Sequence, residues 1–505
     1  MRLALFVTPF LMCGSLGFAE GEPPLSAIPW LTESLSSTAP STRPNVMQST
    51  KIESITVEVL REKARDGAGL LAPEITGFPL DLWKDASQSD ISQRVAQIPY
   101  GGTPAVRSLF RQLMLAQSNA PKDAEIEDQV LLARLDRLLD IGALNEAQAL
   151  IEHVGADTIA LFRRWFDIGI LTGQGEVVCG RLSQSPMLSP SRNVQVFCLA
   201  TQKDWDAAAT ALTLGEGLGE IKTADADLLA FFLDASLLEE IDPPEIGNPL
   251  TSLEFLIRES VGLPRPDAAN LPLAFLHAEL GDYVPLRFRI EAAEALVQAD
   301  VLPPSVLFAS YREEAPAASG GVWERVAAIQ DMDAAETGDA IATALKKLDL
   351  EFRAPALRFA VAEEFLLYLS DLPPASIPVD VHDQIAALLL LADAPERAKT
   401  WISIESPKAL RDAYSIAAQT YSGDSELETL LSSTTPEAYL TVAHQRLIER
   451  EQIGLALISA LTLLGEDEDL ETPDVLQALA LLRATGQDKT ARQTAVEHLL
   501  LTLDF

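Results

Sequence analysis

The chain has 505 residues, 48% of them apolar and only 6% aromatic, and carries a formal net charge of −36. At that length a single compact core is disfavoured, so several domains or a helical array are expected. So acidic a chain repels nucleic acid and anionic lipid surfaces, and its basic clusters (Arg61, Lys63 and Arg65; Arg163 and Arg164; Arg287 and Arg289; Lys346 and Lys347) are too short to make a stripe.

The chain opens with Met1-Arg2, an apolar run from Leu3 to Leu16, then Gly17-Phe18-Ala19. A basic start, a short apolar centre and small residues before a break predict a secretory signal over residues 1–19, cleaved after Ala19. The run is too short to span a bilayer. Cys13 follows Met12, where a lipoprotein signal would place a small residue. No later stretch is long and apolar enough for a span, so no membrane insertion is expected after cleavage, and the mature chain is expected in the periplasm or secreted.

Residues 20–50 are rich in Pro, Ser and Thr and read as a disordered linker, interrupted by the apolar island Ile28–Leu31. Residues 51–79 read as an extended, irregular segment. Ile55, Val57 and Val59 alternate there with Thr56 and Glu58, which makes this the one short strand candidate. Its expected mates are Leu71–Phe78 or another protein, by strand addition.

Helical spacing begins near Leu80, and residues 80–220 read as N-terminal helical repeats. Thr103-Pro104 marks a helix start, with Thr103 as the cap. From Leu131 to Leu212 the pattern is helix, turn, helix, three times. The turns are expected at Asn145-Glu146-Ala147, Gly175-Glu176-Val177 and Trp205-Asp206-Ala207, with the acidic residues thirty positions apart. A fixed period of this kind marks an array in which each unit buries its apolar face on its neighbour. Residues 221–375 form a less regular helical middle broken at Pro243-Pro244, Pro264, Pro303-Pro304 and Pro373-Pro374. Residues 376–505 return to helical repeats, with Asp383–Ala392 followed by Pro395–Ile402 and Pro473–Ala484 by Thr490–Leu501.

The fold expected is all-α: an elongated α-solenoid of antiparallel helix pairs behind a disordered N-terminal arm. The repeats loosely resemble the tetratricopeptide-type α-solenoid class, without matching its strict signature.

Few residues announce chemistry. His153, His277, His382, His444 and His498 stand far apart, none with a Cys or His at metal-ligand spacing. A nucleophile elbow and a phosphate-binding Gly loop are both absent. No catalytic residue, metal or cofactor is therefore assigned. Arg258-Glu259-Ser260 resembles the Glu-Ser pair of bacterial soluble lytic transglycosylases, and that resemblance would make Glu259 a general acid. The chain continues Val261-Gly262-Leu263-Pro264, where that family carries a Gly-Leu-Met-Gln type motif, so a helix-end Glu is the reading preferred.

Once the signal is removed, Cys179 and Cys198 are the two cysteines left, and an even count in an exported chain predicts a disulfide. The alternative is two buried thiols. The candidate binding site is Tyr311, Ser319, Gly320, Gly321, Trp323 and Arg325. Adjacent glycines before a helix can turn backbone donors toward an anion, with Tyr311 and Arg325 in support. The plainer alternative is a connector in which Ser319 caps or Gly321 turns while Trp323 packs inward.

These readings favour a protein-binding scaffold or adaptor in the cell envelope, its partner an envelope protein or peptide. The alternatives are a cell-wall glycan enzyme or its regulatory helical part, which needs paired carboxylates in a cleft, and a small-molecule binder, which needs a closed apolar pocket.

Overall fold

The computed structural model describes residues 64–124, 128–264, 270–465, 472–501 and 503. The signal, the linker and the strand candidate Lys51–Leu60 lie outside them. Among the described residues there is no strand. The only pairing of that kind among them is one isolated parallel bridge, Leu71 with Ala116, and Pro73–Thr76 beside it makes a helical turn.

The helices of about two turns or more are, in order, α1 Gln88–Gln97, α2 Pro104–Leu115, α3 Gln129–Asp140, α4 Leu144–Val154, α5 Ile159–Leu171, α6 Gly175–Gln184, α7 Arg192–Thr201 and α8 Trp205–Gly217. The middle holds α9 Thr223–Leu233, α10 Ser252–Ser260, α11 Leu286–Gln298, α12 Pro304–Tyr311, α13 Val322–Asp333, α14 Gly338–Glu351 and α15 Pro355–Asp371. The last part holds α16 His382–Leu391, α17 Lys408–Ala417, α18 Glu426–Ser432, α19 Val442–Glu449, α20 Ile453–Gly465, α21 Thr472–Ala484 and α22 Asp488–Leu501. Leu273–Leu280, which reads as an ordinary helix from its spacing, is a 3-10 helix. It follows Pro272 and is followed by Gly281, which leaves it little room to settle into a longer α-helix.

One turn recurs through the chain. After α3 the N–H of Gly142 donates to Leu139 O and that of Ala143 to Leu138 O, with Gly142 at φ +78°. The same pair of bonds closes α7 at Lys203 and Asp204, α16 at Asp393 and Ala394, α19 at Glu451 and Gln452, and α21 at Gly486 and Gln487. This is the left-handed helix stop that satisfies the last carbonyls, and a new helix starts within two or three residues of it. It places the turns a few residues earlier than their sequence pattern does. Glu146, Glu176 and Asp206 sit in the first turns of α4, α6 and α8. The reason is electrostatic: a carboxylate favours the positive N-terminal end of a helix.

Neighbouring helices pack on one another: α3 on α4, α5 on α6, α7 on α8 and α20 on α21. An elongated array would keep its ends apart, whereas here α2 packs on α20 and α22. Lys84 pairs with Glu451, and the N–H of Gly454 donates to Leu82 O at 2.8 Å. The expected Thr103 cap is also replaced. Its side chain makes no cap bond, and the buried Glu497 of α22 accepts the Ala105 N–H at 3.0 Å instead.

The buried apolar side chains fall into two clusters. The larger draws on α1 to α5 and on the chain from Leu271 to the C-terminal end of α22. The smaller is built by α5 to α10. Helix α5 serves both: Leu161, Ile168 and Leu171 face the larger, Phe162, Phe166 and Ile170 the smaller. The smaller cluster closes on itself, because α10 returns to pack on α5.

Candidate functional site

The residues singled out around Tyr311 divide into two groups. Tyr311 is fully buried and donates its hydroxyl to Glu294 Oε1 at 2.8 Å. Arg325 from α13 grips both oxygens of Glu294, at 2.6 Å each. Glu294 is itself buried on α11, so the arginine's charge is matched inside the core by a bidentate carboxylate. Burial, followed by the Glu294 charge, holds the Tyr311 phenol well above its ordinary range. Ser319, Gly320 and Gly321 lie at the exposed surface instead. Gly320 and Gly321 take φ +91° and +61° to start α13. The Gly320 N–H donates to Glu324 Oε1 at 3.1 Å, so a carboxylate of the same helix takes a donor that an external anion would need. Trp323 packs on the larger core. The structure thus unites Tyr311 with Arg325 through Glu294, which the sequence pattern did not flag, and leaves the glycines apart from them.

Cys179 on α6 and Cys198 on α7 form a disulfide, with sulfurs 2.04 Å and Cα atoms 4.9 Å apart. Both sulfurs lie in the smaller core. Beside them runs an open groove of about 200 Å³, floored by Leu182, Pro186 and Leu199 and edged by Gln195 and Gln202. Gln202 Nε2 donates to Cys179 O at 2.7 Å, tying the end of α7 to α6.

Convergent charged groups elsewhere are held at helix ends. At the C-terminus of α11, Tyr100 donates to Ala299 O at 2.6 Å, and Arg107 and Arg111 reach Gln298 O and Asp300 O. Arg111 also pairs with the Asp300 carboxylate at 2.7 Å. Two cations from α2 and a phenol from the segment before it therefore satisfy the orphan carbonyls and the negative end of α11. Burial raises Asp300 against the pull of Arg111 and Arg107, and burial pushes Glu497 up to about 7. Asp300 is engaged by Arg111, and Glu497 by the N-terminal end of α2. Arg134 is fully buried and donates to the carbonyls of Met114, Ala116, Asp66 and Ala68. Asp66 in turn accepts the N–H groups of Val130 and Leu131 at the start of α3.

Three of the histidines also serve structure. His277 bonds Gly142 O at 2.7 Å, His382 bonds Ile377 O at 3.1 Å and stands edge-on to Trp401, and His444 bonds Gln477. Among the described residues no three His, Cys, Asp or Glu side chains gather at metal-binding distance. Glu259 lies one residue before the end of α10.

What sequence reasoning missed is a run of large apolar side chains left in solvent on the smaller-core layer. Ile159, Val177, Met187, Trp205, Leu214 and Leu218 all fall within it, with Met187 at 87% exposure and Leu218 at 70%. Helical spacing alone assigns such residues to a core, and the available signal was weak: α8 offers apolar residues all round with no clear polar side. Compared with known proteins, the chain matches no family model, no curated protein and no solved structure.

Proposed function

We propose that this is an exported, periplasmic helical-repeat protein that acts as a protein-binding scaffold or adaptor in the cell envelope. In this reading its signal is cleaved after Ala19, and pairs of antiparallel helices present its binding surface to an envelope protein or peptide. The observation that carries it is the exposed apolar run from Ile159 to Leu218. Large apolar side chains left in solvent on one group of neighbouring helices offer a partner anchoring points, and helical arrays offer long faces for binding. A buried disulfide adds support for export, since such bonds persist where thiols are not kept reduced.

The test is affinity purification of the mature chain from its native envelope after mild cross-linking. A reproducible set of co-purified proteins, absent with a tag-only control, is expected. Recovery of nothing above background would sink the scaffold reading. N-terminal sequencing of the same preparation checks export: a chain beginning at Glu20 is expected, and one beginning at Met1 rejects cleavage.

A further inference from the structure

Helix α8, WDAAATALTLGEG, buries only Ala208 and Gly215 fully. At 3.6 residues per turn these two share a side with Ala211 and Leu212, which pack on the smaller core. Gly215 allows a close approach there, since a Cβ would lie 2.6 Å from Ile221 and 2.8 Å from Arg192. Asp206, Ala209, Thr210, Thr213 and Leu214 span the opposite side, all exposed, with the exposed Trp205 at the edge beside Leu212. Trp205 is 50% and Leu214 58% exposed, at opposite edges and opposite ends of that side.

The two threonines are less polar than their letters imply. Thr210 donates its hydroxyl to Asp206 O at 2.8 Å, and Thr213 to Ala209 O at 2.9 Å. With the hydroxyls bonded back onto the helix, their methyl groups are left to form the surface. The exposed side is therefore a low apolar floor of Ala209, Thr210 and Thr213 between two taller side chains, Trp205 and Leu214, with Asp206 at its N-terminal end. A floor of small groups lets another helix come close, and the tryptophan is the kind of side chain that anchors an interface.

Charge decides what covers it. Helix α8 carries Asp206 and Glu216 and no basic residue, and neither acid makes an ion pair among the described residues. From Asp204 to Glu245 eleven acidic residues stand against the single basic Lys222. A second copy would set like charge on like across a two-fold axis, and two chains of −36 repel. The complementary occupant is basic.

We propose that the exposed side of α8 docks a cationic amphipathic helix of a partner protein, its apolar stripe on Ala209, Thr210 and Thr213 and its Lys or Arg residues toward Asp206 and Glu216. This rests on the protein-binding reading above and names the partner's chemistry.

The test uses the full mature chain and three labelled synthetic peptides: an amphipathic Leu/Lys helix, a scrambled peptide of the same composition and charge, and the Leu/Glu counterpart. Fluorescence anisotropy is read at low and at physiological salt. The Leu/Lys helix is expected to bind at least tenfold more tightly than the scrambled peptide, and the Leu/Glu helix not at all. Ala209→Arg should weaken the Leu/Lys helix at least tenfold. Leu367→Arg, at a site exposed elsewhere, should leave it unchanged. Asp206→Asn with Glu216→Gln should flatten the salt dependence. Equal binding of the scrambled peptide would reduce the effect to net charge and overturn the proposal. So would unchanged binding by Ala209→Arg, provided its circular dichroism and melting match the parent, or absence of binding by all three peptides. In any of those cases co-purification from the envelope still decides whether the chain binds proteins through another surface.

Discussion

The core around the disulfide and the larger core beside it use the same helix–turn–helix unit and close in different ways. The larger is closed by distant chain: α2 packs on α20 and α22, and Glu497 caps α2 from 392 residues away. The smaller is closed locally, by α10 returning to α5, and is cross-linked between α6 and α7. A small cluster buries less surface per residue ordered, so it gains more from a covalent link. It also leaves Trp205, Leu214 and Leu218 in solvent on and just after α8, and that surface is where we place the partner. The two cores share α5, and the difference between them teaches that the same unit can be closed by distant chain in one place and by local return and a cross-link in another.

The strongest way to break that comparison is in the larger core. Arg134→Met removes the donor from four carbonyls, three of them in buried bonds, at the junction of α2, α3 and the segment from Asp66 to Ala68. At roughly 1–3 kcal/mol for each unsatisfied group, a loss of about 4 kcal/mol or more is expected. Urea denaturation checks it, and a change below about 1 kcal/mol would show that the network is dispensable. In the smaller core, Cys179→Ser with Cys198→Ser opens a link of sequence separation 19 and should cost about 3 kcal/mol in the entropic account. Hydrogen exchange should quicken in α6 and α7 while α15 and α16 keep their protection. Uniform quickening would mean that the two cores unfold as one.

The pH dependence separates the cores further. Glu497 binds its proton more readily folded, at about 7, than at the ordinary value of 4.5. The folded state therefore holds more protons between those values, and its contribution is full below about 4.5 and falls as pH rises through 7. The expected fall is of the order of 3 kcal/mol, since each tenfold change in proton affinity is worth about 1.4 kcal/mol. Glu497→Gln should remove it, as read from urea midpoints at pH 5 and pH 8, with no change in exchange within the smaller core. An identical pH profile in the variant would assign the effect to another group. The smallest effect is expected at α8. Thr213→Val keeps the outward methyl and gives up a hydroxyl bonded only to its own helix. Melting should shift by no more than about 0.5 kcal/mol equivalent, and binding of the Leu/Lys helix should not change. A tenfold change in binding would mean that the hydroxyl itself faces the partner.

Local rules in the sequence determined much of this protein. Period and composition specified the helices of the described residues, because apolar side chains at helical spacing bury one face of a helix. Cysteine count and spacing pointed to the Cys179–Cys198 bond, which joins the second helix of one helix pair to the first helix of the next. The recurring turn stayed half hidden, because its left-handed position is filled by Gly142, Gly173 and Gly486 but also by Lys203, Asp393 and Glu451; only the backbone conformation is shared. Tertiary structure alone decided the rest. Whether Arg325 meets an anion or Glu294, whether Thr103 or Glu497 caps α2, and which side of α8 stays in solvent all depend on what lies opposite. The first two partners come from residues 31 and 392 positions away, and α8 is seated through Gly215 on Arg192 and Ile221; such pairing is set by how helices pack, which no local pattern records.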